Sequence, residues 1–356
     1  MKKHNFFAGP AILPEPVKAE ASKAALQLDE MGLSILEISH RSKFFSDVMD
    51  EAQQLVKDLL NLGDDFDVMF LTGGASSQFF MAPMNVLGAN ESIGYLDTGT
   101  WSTKAIKEAG RYGNMSVLAS SKDKNYSYIP KAYDIPSDLK YLHLTSNNTI
   151  YGTQMNTLPD TNARIICDMS SDIFSRPIDP SRYDIIYAGA QKNLGPAGTT
   201  IVIVRKGILG KTGRDIPTML NYETHIAKGS MFNTPPVYPI FVSYLTLKWL
   251  KNLGGIKVME ERNSAKAKML YGEIDRNTCF TGTVANEDRS KMNVSFLLND
   301  NSKDQSFLDM CDELGIMGIK GHRSVGGFRA STYNALPIES VEVLVNVMKA
   351  FEEKYA

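Results

Sequence analysis

The stretch Tyr187-Ala-Gly-Ala-Gln-Lys-Asn-Leu-Gly-Pro-Ala-Gly-Thr199 sets a single lysine between two apolar runs. The first run, Ile185-Ile-Tyr187, ends in small residues, and the second is Thr200-Ile-Val-Ile-Val204. Short apolar runs bounded by Gly and Pro read as buried strands. Lys192 therefore sits at the mouth of a turn between two strands. A lysine held among small residues is partly desolvated, which lowers its pKa and makes its amine a usable nucleophile. A carbonyl cofactor needs such an amine. A solvated loop lysine is the bland alternative, and only partners elsewhere in the chain can decide between the two.

Upstream the same punctuation recurs. Val68–Leu71, Ser92–Leu96, Met115–Leu118, Tyr141–Thr145 and Arg164–Asp168 read as strands, separated by helical or loop segments. Strands alternating with helices predict an α/β fold with a mostly parallel sheet covered on both faces. Ligands in such folds collect outside the carboxyl ends of the strands. Polar residues gather there: Thr145-Ser-Asn-Asn-Thr149, Asp168-Met-Ser-Ser-Asp172 and Gln191-Lys192. Thr72-Gly-Gly-Ala-Ser-Ser-Gln78 reads as a turn leading into a helix from Phe79. Its small residues let a ligand approach the free N–H groups of a helix start, although a plain tight turn looks the same. Ser46 is a plausible cap for a helix over 48–60, and 207–229 reads as loop. Residues 1–15 form an irregular N-terminal arm, 16–255 a large domain, and 256–356 a smaller C-terminal α/β domain. Strands are expected in the small domain near 292–298, 316–321 and 328–331.

Composition narrows the function classes. With a formal net charge of −2, the chain has no general attraction for nucleic acid. The three cysteines lie far apart with no CxxC spacing, against a zinc site or disulfide framework and in keeping with a reducing compartment. The N-terminus does not read as a signal peptide, and no apolar run reaches membrane-spanning length. A cytoplasmic location is expected.

The ordered set of motifs resembles the phosphoserine aminotransferases, pyridoxal phosphate (PLP) enzymes of fold type I, over essentially the whole chain. The residues that carry the resemblance are Phe7-Ala-Gly-Pro10, Ser39-His-Arg-Ser42, Thr72-Gly-Gly-Ala75 with Gln78-Phe79, and Thr98-Gly-Thr-Trp-Ser102. Asp168-Met-Ser-Ser171 with Ser175-Arg-Pro-Ile-Asp179, the Lys192 stretch, Asn233-Thr-Pro-Pro236 and Gly321-His-Arg-Ser-Val-Gly-Gly-Phe-Arg329 complete it. The resemblance implies that Lys192 holds PLP as a Schiff base and then moves the substrate's α-proton. It puts Asp168 at the pyridine nitrogen, Trp101 flat on the ring and Thr149 at the ring hydroxyl. Ala75, Ser76 and Gln191 would hold the cofactor phosphate, with Asn233 and Thr234 supplied by the neighbouring subunit of a homodimer. Arg329 would clamp the substrate α-carboxylate, since a planar guanidinium pairs bidentately. His40, Arg41, His322 and Arg323 would receive the phosphate or the side-chain carboxylate of glutamate. Gly9 would approach the substrate through its backbone. Where Ser76 stands, some members of the family carry Arg.

Several of these residues also have an ordinary reading: Asp168 as a cap, Trp101 as core, the His-Arg pairs as surface, Asn-Thr before Pro-Pro as a turn. The implied reaction exchanges the amino group between O-phospho-L-serine with 2-oxoglutarate and 3-phosphohydroxypyruvate with L-glutamate, in L-serine biosynthesis. The family can also act on 4-phosphohydroxy-L-threonine in pyridoxine biosynthesis. Rival readings are a cysteine desulfurase or an alanine–glyoxylate-type aminotransferase of the same fold, and a non-catalytic α/β ligand-binding protein. A desulfurase needs a mobile reactive cysteine. Cys167 and Cys311 fall in buried patterns, which leaves Cys279 as the loop-like candidate.

Overall fold

A computed structural model of the chain describes residues 2–29 and 31–356. It begins with a two-residue strand, β1 (His4–Asn5), followed by helices α1 (Glu15–Leu26) and α2 (Lys43–Leu60). The cap of α2 is Ser42 and not Ser46. Ser42 has extended backbone, and its hydroxyl accepts the Phe45 N–H at 3.3 Å. Ser46 already lies inside the helix, its N–H bonded to the Ser42 carbonyl at 3.0 Å.

The apolar runs between residues 66 and 205 become β2 (Phe66–Leu71), β3 (Ser92–Asp97), β4 (Asn114–Ser120), β5 (Tyr141–Thr145), β6 (Arg164–Asp168), β7 (Tyr183–Gly189) and β8 (Thr200–Arg205). They form one sheet in the order β2-β8-β7-β6-β5-β3-β4. Its pairs are parallel except those that β8 makes with β7 and β2. The link 190–199, which carries Lys192, is too short for a crossover, so β8 must return antiparallel.

Alternation along each strand sorts side chains to two faces. One face carries Leu142, Cys167, Ile186 and Ile203 against α1, α2 and α6 (Val237–Asn252). The other carries Tyr95, Ile166, Tyr187 and Val202 against α3 (Gly74–Val86), α4 (Thr100–Ala109) and α5 (Tyr222–Ala227). Both α3 and α5 revise the expectation from sequence. The former starts at Gly74, inside the presumed turn, because Gly73 at φ 96° provides the left-handed residue before it. The latter lies within the presumed 207–229 loop, capped by Asn221, whose side chain accepts the Glu223 N–H at 2.9 Å.

Helix α7 (Gly255–Arg276) joins two cores: Ile256 and Met259 pack with the large one, Leu270 and Ile274 with the small one. The smaller core lies under a sheet in the order β12-β10-β9, with β9 (Phe280–Gly282), β10 (Asn293–Leu298) and β12 (Phe328–Ser331), and under α8 (Asp304–Glu313) and α9 (Ile338–Tyr355). The short β9 has too few residues to show alternation, so the sequence does not reveal it. The strand expected over 316–321 stops as β11 (Ile316–Met317). Gly318 then turns at φ 78°, where an added Cβ would lie 2.7 Å from the Phe7 ring. The N-terminal arm occupies that space. β1 pairs with β11, and Phe6 is fully buried in the smaller core.

Candidate active site

Three strand ends meet at one edge of the large sheet. Thr145 pairs in register with Asp168, and Asp168 with Tyr187. Beyond them the chain delivers Thr149, Asp168 and Lys192 to one place. Lys192 Nζ donates to Thr149 Oγ1 at 2.7 Å and lies 5.8 Å from the centre of the Trp101 ring. Burial pushes the Lys192 amine down to about 8; Asp168 opposes the shift and Arg329 adds to it. Asp168 is buried, and burial raises its pKa while Lys192 opposes. One oxygen of Asp168 accepts the Ser170 N–H at 2.9 Å, so the residue does shape its own turn. Trp101 sits in the first turn of α4, and its indole N–H is buried without a partner.

Ala75 and Ser76 lie in the first turn of α3, where main-chain N–H groups have no partner inside the helix. Gln191 is half-buried beside Gly9. Gly9 has φ 141°, and an added Cβ would stand 3.4 Å from Lys192 Cγ. The next arm residue but one is tied to the same turn, Ala11 N–H donating to the Gln191 carbonyl at 2.9 Å. Arg329 Nη1 donates to the Thr149 carbonyl at 3.2 Å, while its Nε is buried with no partner. His322 is half-buried, its pKa lowered by burial and then by Arg329 and Arg323. Val325 of the same loop packs against the small cluster that also holds Trp101.

Among the described residues no hydrogen bond or ion pair joins the side chains of His40, Arg41, Arg323, Asn233 or Thr234 to the Lys192 group. Arg41, Arg323, Asn233 and Thr234 are exposed. His40 Nε2 is buried and unpartnered. Asn233 lines a cavity of about 150 Å³ together with Thr72, Gly73 and Ser77 of the glycine turn.

The family model for class-V aminotransferases matches residues 4–344. A phosphoserine aminotransferase of Flavobacterium psychrophilum is 60% identical to the chain, covering 99% of it and 100% of that protein. The chain belongs to the class-V aminotransferase family. Among solved structures, a phosphoserine aminotransferase from Bacillus circulans subsp. alkalophilus superposes with a TM-score of 0.96 at 42% identity, covering 100% of this chain and 99% of that one. A PLP-bound phosphoserine aminotransferase from Trichomonas vaginalis gives a TM-score of 0.93 at 35% identity, covering 98% and 100%. The fold is that of the PLP-dependent transferases of fold type I, and the family's cofactor is PLP.

The residues present fit that cofactor. A desolvated amine stands beside a buried carboxylate, and an indole N–H and a guanidinium Nε wait unpartnered at the same site. The glycine turn offers free main-chain donors of the kind a phosphate takes. Two residues at the site escape sequence reasoning. The Tyr333 hydroxyl, fully buried, donates to the Ala8 carbonyl at 2.8 Å. Asn193 Oδ1, next to Lys192, accepts the Asn334 N–H at 3.0 Å. Asn193 stood in the quoted stretch, but nothing in the sequence marks Tyr333, whose contact spans most of the chain.

Proposed function

We propose that this chain catalyses the reversible exchange of an amino group between O-phospho-L-serine with 2-oxoglutarate and 3-phosphohydroxypyruvate with L-glutamate, as a step of L-serine biosynthesis. One observation carries it: the Lys192 amine, desolvated and held by Thr149 beside Asp168, stands in a chain 60% identical along its length to a phosphoserine aminotransferase. PLP, when bound, carries the amino group and spreads the charge that develops at the substrate's α-carbon.

The chain's own residues would do the rest. With its pKa near 8, Lys192 Nζ has a free fraction near neutral pH and would take and return the α-proton. Asp168 would hold a proton on the ring nitrogen, and Trp101 would lie on the ring. Thr149 would bond the ring hydroxyl. Ala75 and Ser76 would bind the phosphate through their amides, and Gln191 through its side chain. Arg329 would grip the α-carboxylate, its free Nε adding a second donor to the fork. His40, Arg41, His322 and Arg323 would receive the substrate phosphate or glutamate's distal carboxylate, and Gly9 would approach the substrate through its backbone. Asn233 and Thr234, exposed on this chain, would complete the cofactor site of a second copy, making the enzyme a homodimer with shared sites. We place it in the cytoplasm, in keeping with three free cysteines.

The test is the visible spectrum of the purified holoenzyme titrated with O-phospho-L-serine and then with L-serine. A cofactor band that changes with phosphoserine and hardly with serine supports the proposal. A coloured protein indifferent to phosphoserine sends the substrate assignment to the other PLP reactions of this fold. A parallel titration with 4-phosphohydroxy-L-threonine tests the pyridoxine-pathway substrate.

A further inference from the structure

Lys266 lies on α7 and is 1% exposed. Its Nζ donates to the main-chain oxygens of Thr332 at 2.9 Å and Tyr333 at 2.7 Å. No ion pair among the described residues includes it. Burial, with repulsion from Arg262, pushes its amine down to about 7. Burying an amine with no counter-charge is costly, and a methionine would fill similar space. The two hydrogen bonds therefore have to be worth that cost.

Their value lies in what the 331–334 segment touches. It follows Arg329 out of β12 and runs to the Lys192 turn. The Ser331 N–H donates to the Phe6 carbonyl at 3.3 Å, and the Tyr333 hydroxyl to the Ala8 carbonyl at 2.8 Å. Asn334 N–H reaches Asn193, the neighbour of Lys192. Asn263, three residues before Lys266 and on the same face of α7, donates to Asn334 Oδ1 at 2.8 Å. One helix face thus grips a segment that holds the arm on one side and the Lys192 turn on the other.

We infer that Lys266 is a positioning residue: through the 332–333 main chain it sets the Tyr333 hydroxyl, and through that bond it holds the N-terminal arm against Lys192. Its catalytic consequence rests on Lys192 being the reacting amine of the proposed function. The amine need not be charged to do this, because a neutral amine still has an N–H for each oxygen.

The test compares Lys266→Met, Tyr333→Phe and the double variant with the wild-type holoenzyme, by amide hydrogen exchange and by kcat/KM for O-phospho-L-serine. Exchange in residues 5–11 rises about fivefold to tenfold in each single variant, as expected for losing one net hydrogen bond. kcat/KM falls by a similar factor. The double variant is no worse than Lys266→Met, since both changes break one chain of contacts. Tyr333→Phe keeps the packing, so it can overturn the inference even if Lys266→Met does not fold. Unchanged arm exchange in Tyr333→Phe overturns the inference. So does a Lys266→Met protein in which exchange rises equally in all segments. A wild-type enzyme inactive on phosphoserine sinks the proposed function, while the exchange result still decides whether Lys266 holds the arm.

Discussion

Lys192 is acted on in opposite directions by its surroundings. Burial favours the neutral amine and Asp168 the charged one, and burial wins, leaving a pKa of about 8 against an ordinary 10.5. In cofactor-free protein, labelling of Lys192 by an amine reagent should rise with a midpoint near pH 8, well below that of surface lysines, as read by peptide mass spectrometry. The same shift has a sign in stability. Between about pH 8 and 10.5 the unfolded chain binds the proton that the folded chain has lost, so cofactor-free stability contributed by this group rises with pH. Lys192→Ala should show a smaller rise in denaturant melts, keeping the part that the likewise depressed Lys266 contributes. In the holoenzyme, Lys192→Ala should cost at least about 10³-fold in turnover, because in the proposed mechanism Lys192 is both the attachment point and the proton carrier. Asp168→Asn should cost about 10² or more in kcat with little change in fold, measured by steady-state kinetics beside circular dichroism.

At the scale of single elements, the start of α3 is the most demanding. Gly73 holds φ 96°, and an added Cβ would run into Ser77, 2.9 Å from its Cβ. Gly73→Ala should therefore displace the first turn of α3 and weaken cofactor retention by about tenfold or more, measured by PLP release on dialysis. Ser42→Ala removes the cap of α2 and should lower stability by about 1 kcal/mol in urea melts. Most strands were legible as apolar runs, and Tyr141–Thr145 and Arg164–Asp168 match to the residue. Helix starts were less legible. Ser42 and Ser46 are both good caps by type, and only the backbone geometry chooses between them. Helix α5 was hidden because its six residues are too few to show a period.

For the whole molecule, the arm joins the smaller core although it opens the chain. Phe6 is fully buried among Phe296, Phe307 and their neighbours. Phe6→Ala should destabilise by about 3–5 kcal/mol through loss of packing and a residual cavity, read by denaturant melts. It should also lower activity at temperatures where the protein stays folded, since the same arm carries Gly9. The proposed shared site makes a further demand. Asn233→Ala should loosen the cofactor, and dilution of the wild type below its dimer dissociation constant should do the same, as followed by absorbance against sedimentation.

By itself the sequence determined the α/β layering, the parallel run of strands, the lysine turn and the family. All of these rest on local signals: apolar runs, Gly and Pro punctuation, and short motifs. Tertiary structure alone decided how the groups around Lys192 are joined and what supports them. Thr149 precedes it by 43 positions, Tyr333 reaches the arm across 325, and Lys266 grips the 332–333 main chain from a distant helix. Such contacts depend on how layers stack and where backbone oxygens are left over. No periodicity records that, because each partner's own neighbours along the chain are ordinary.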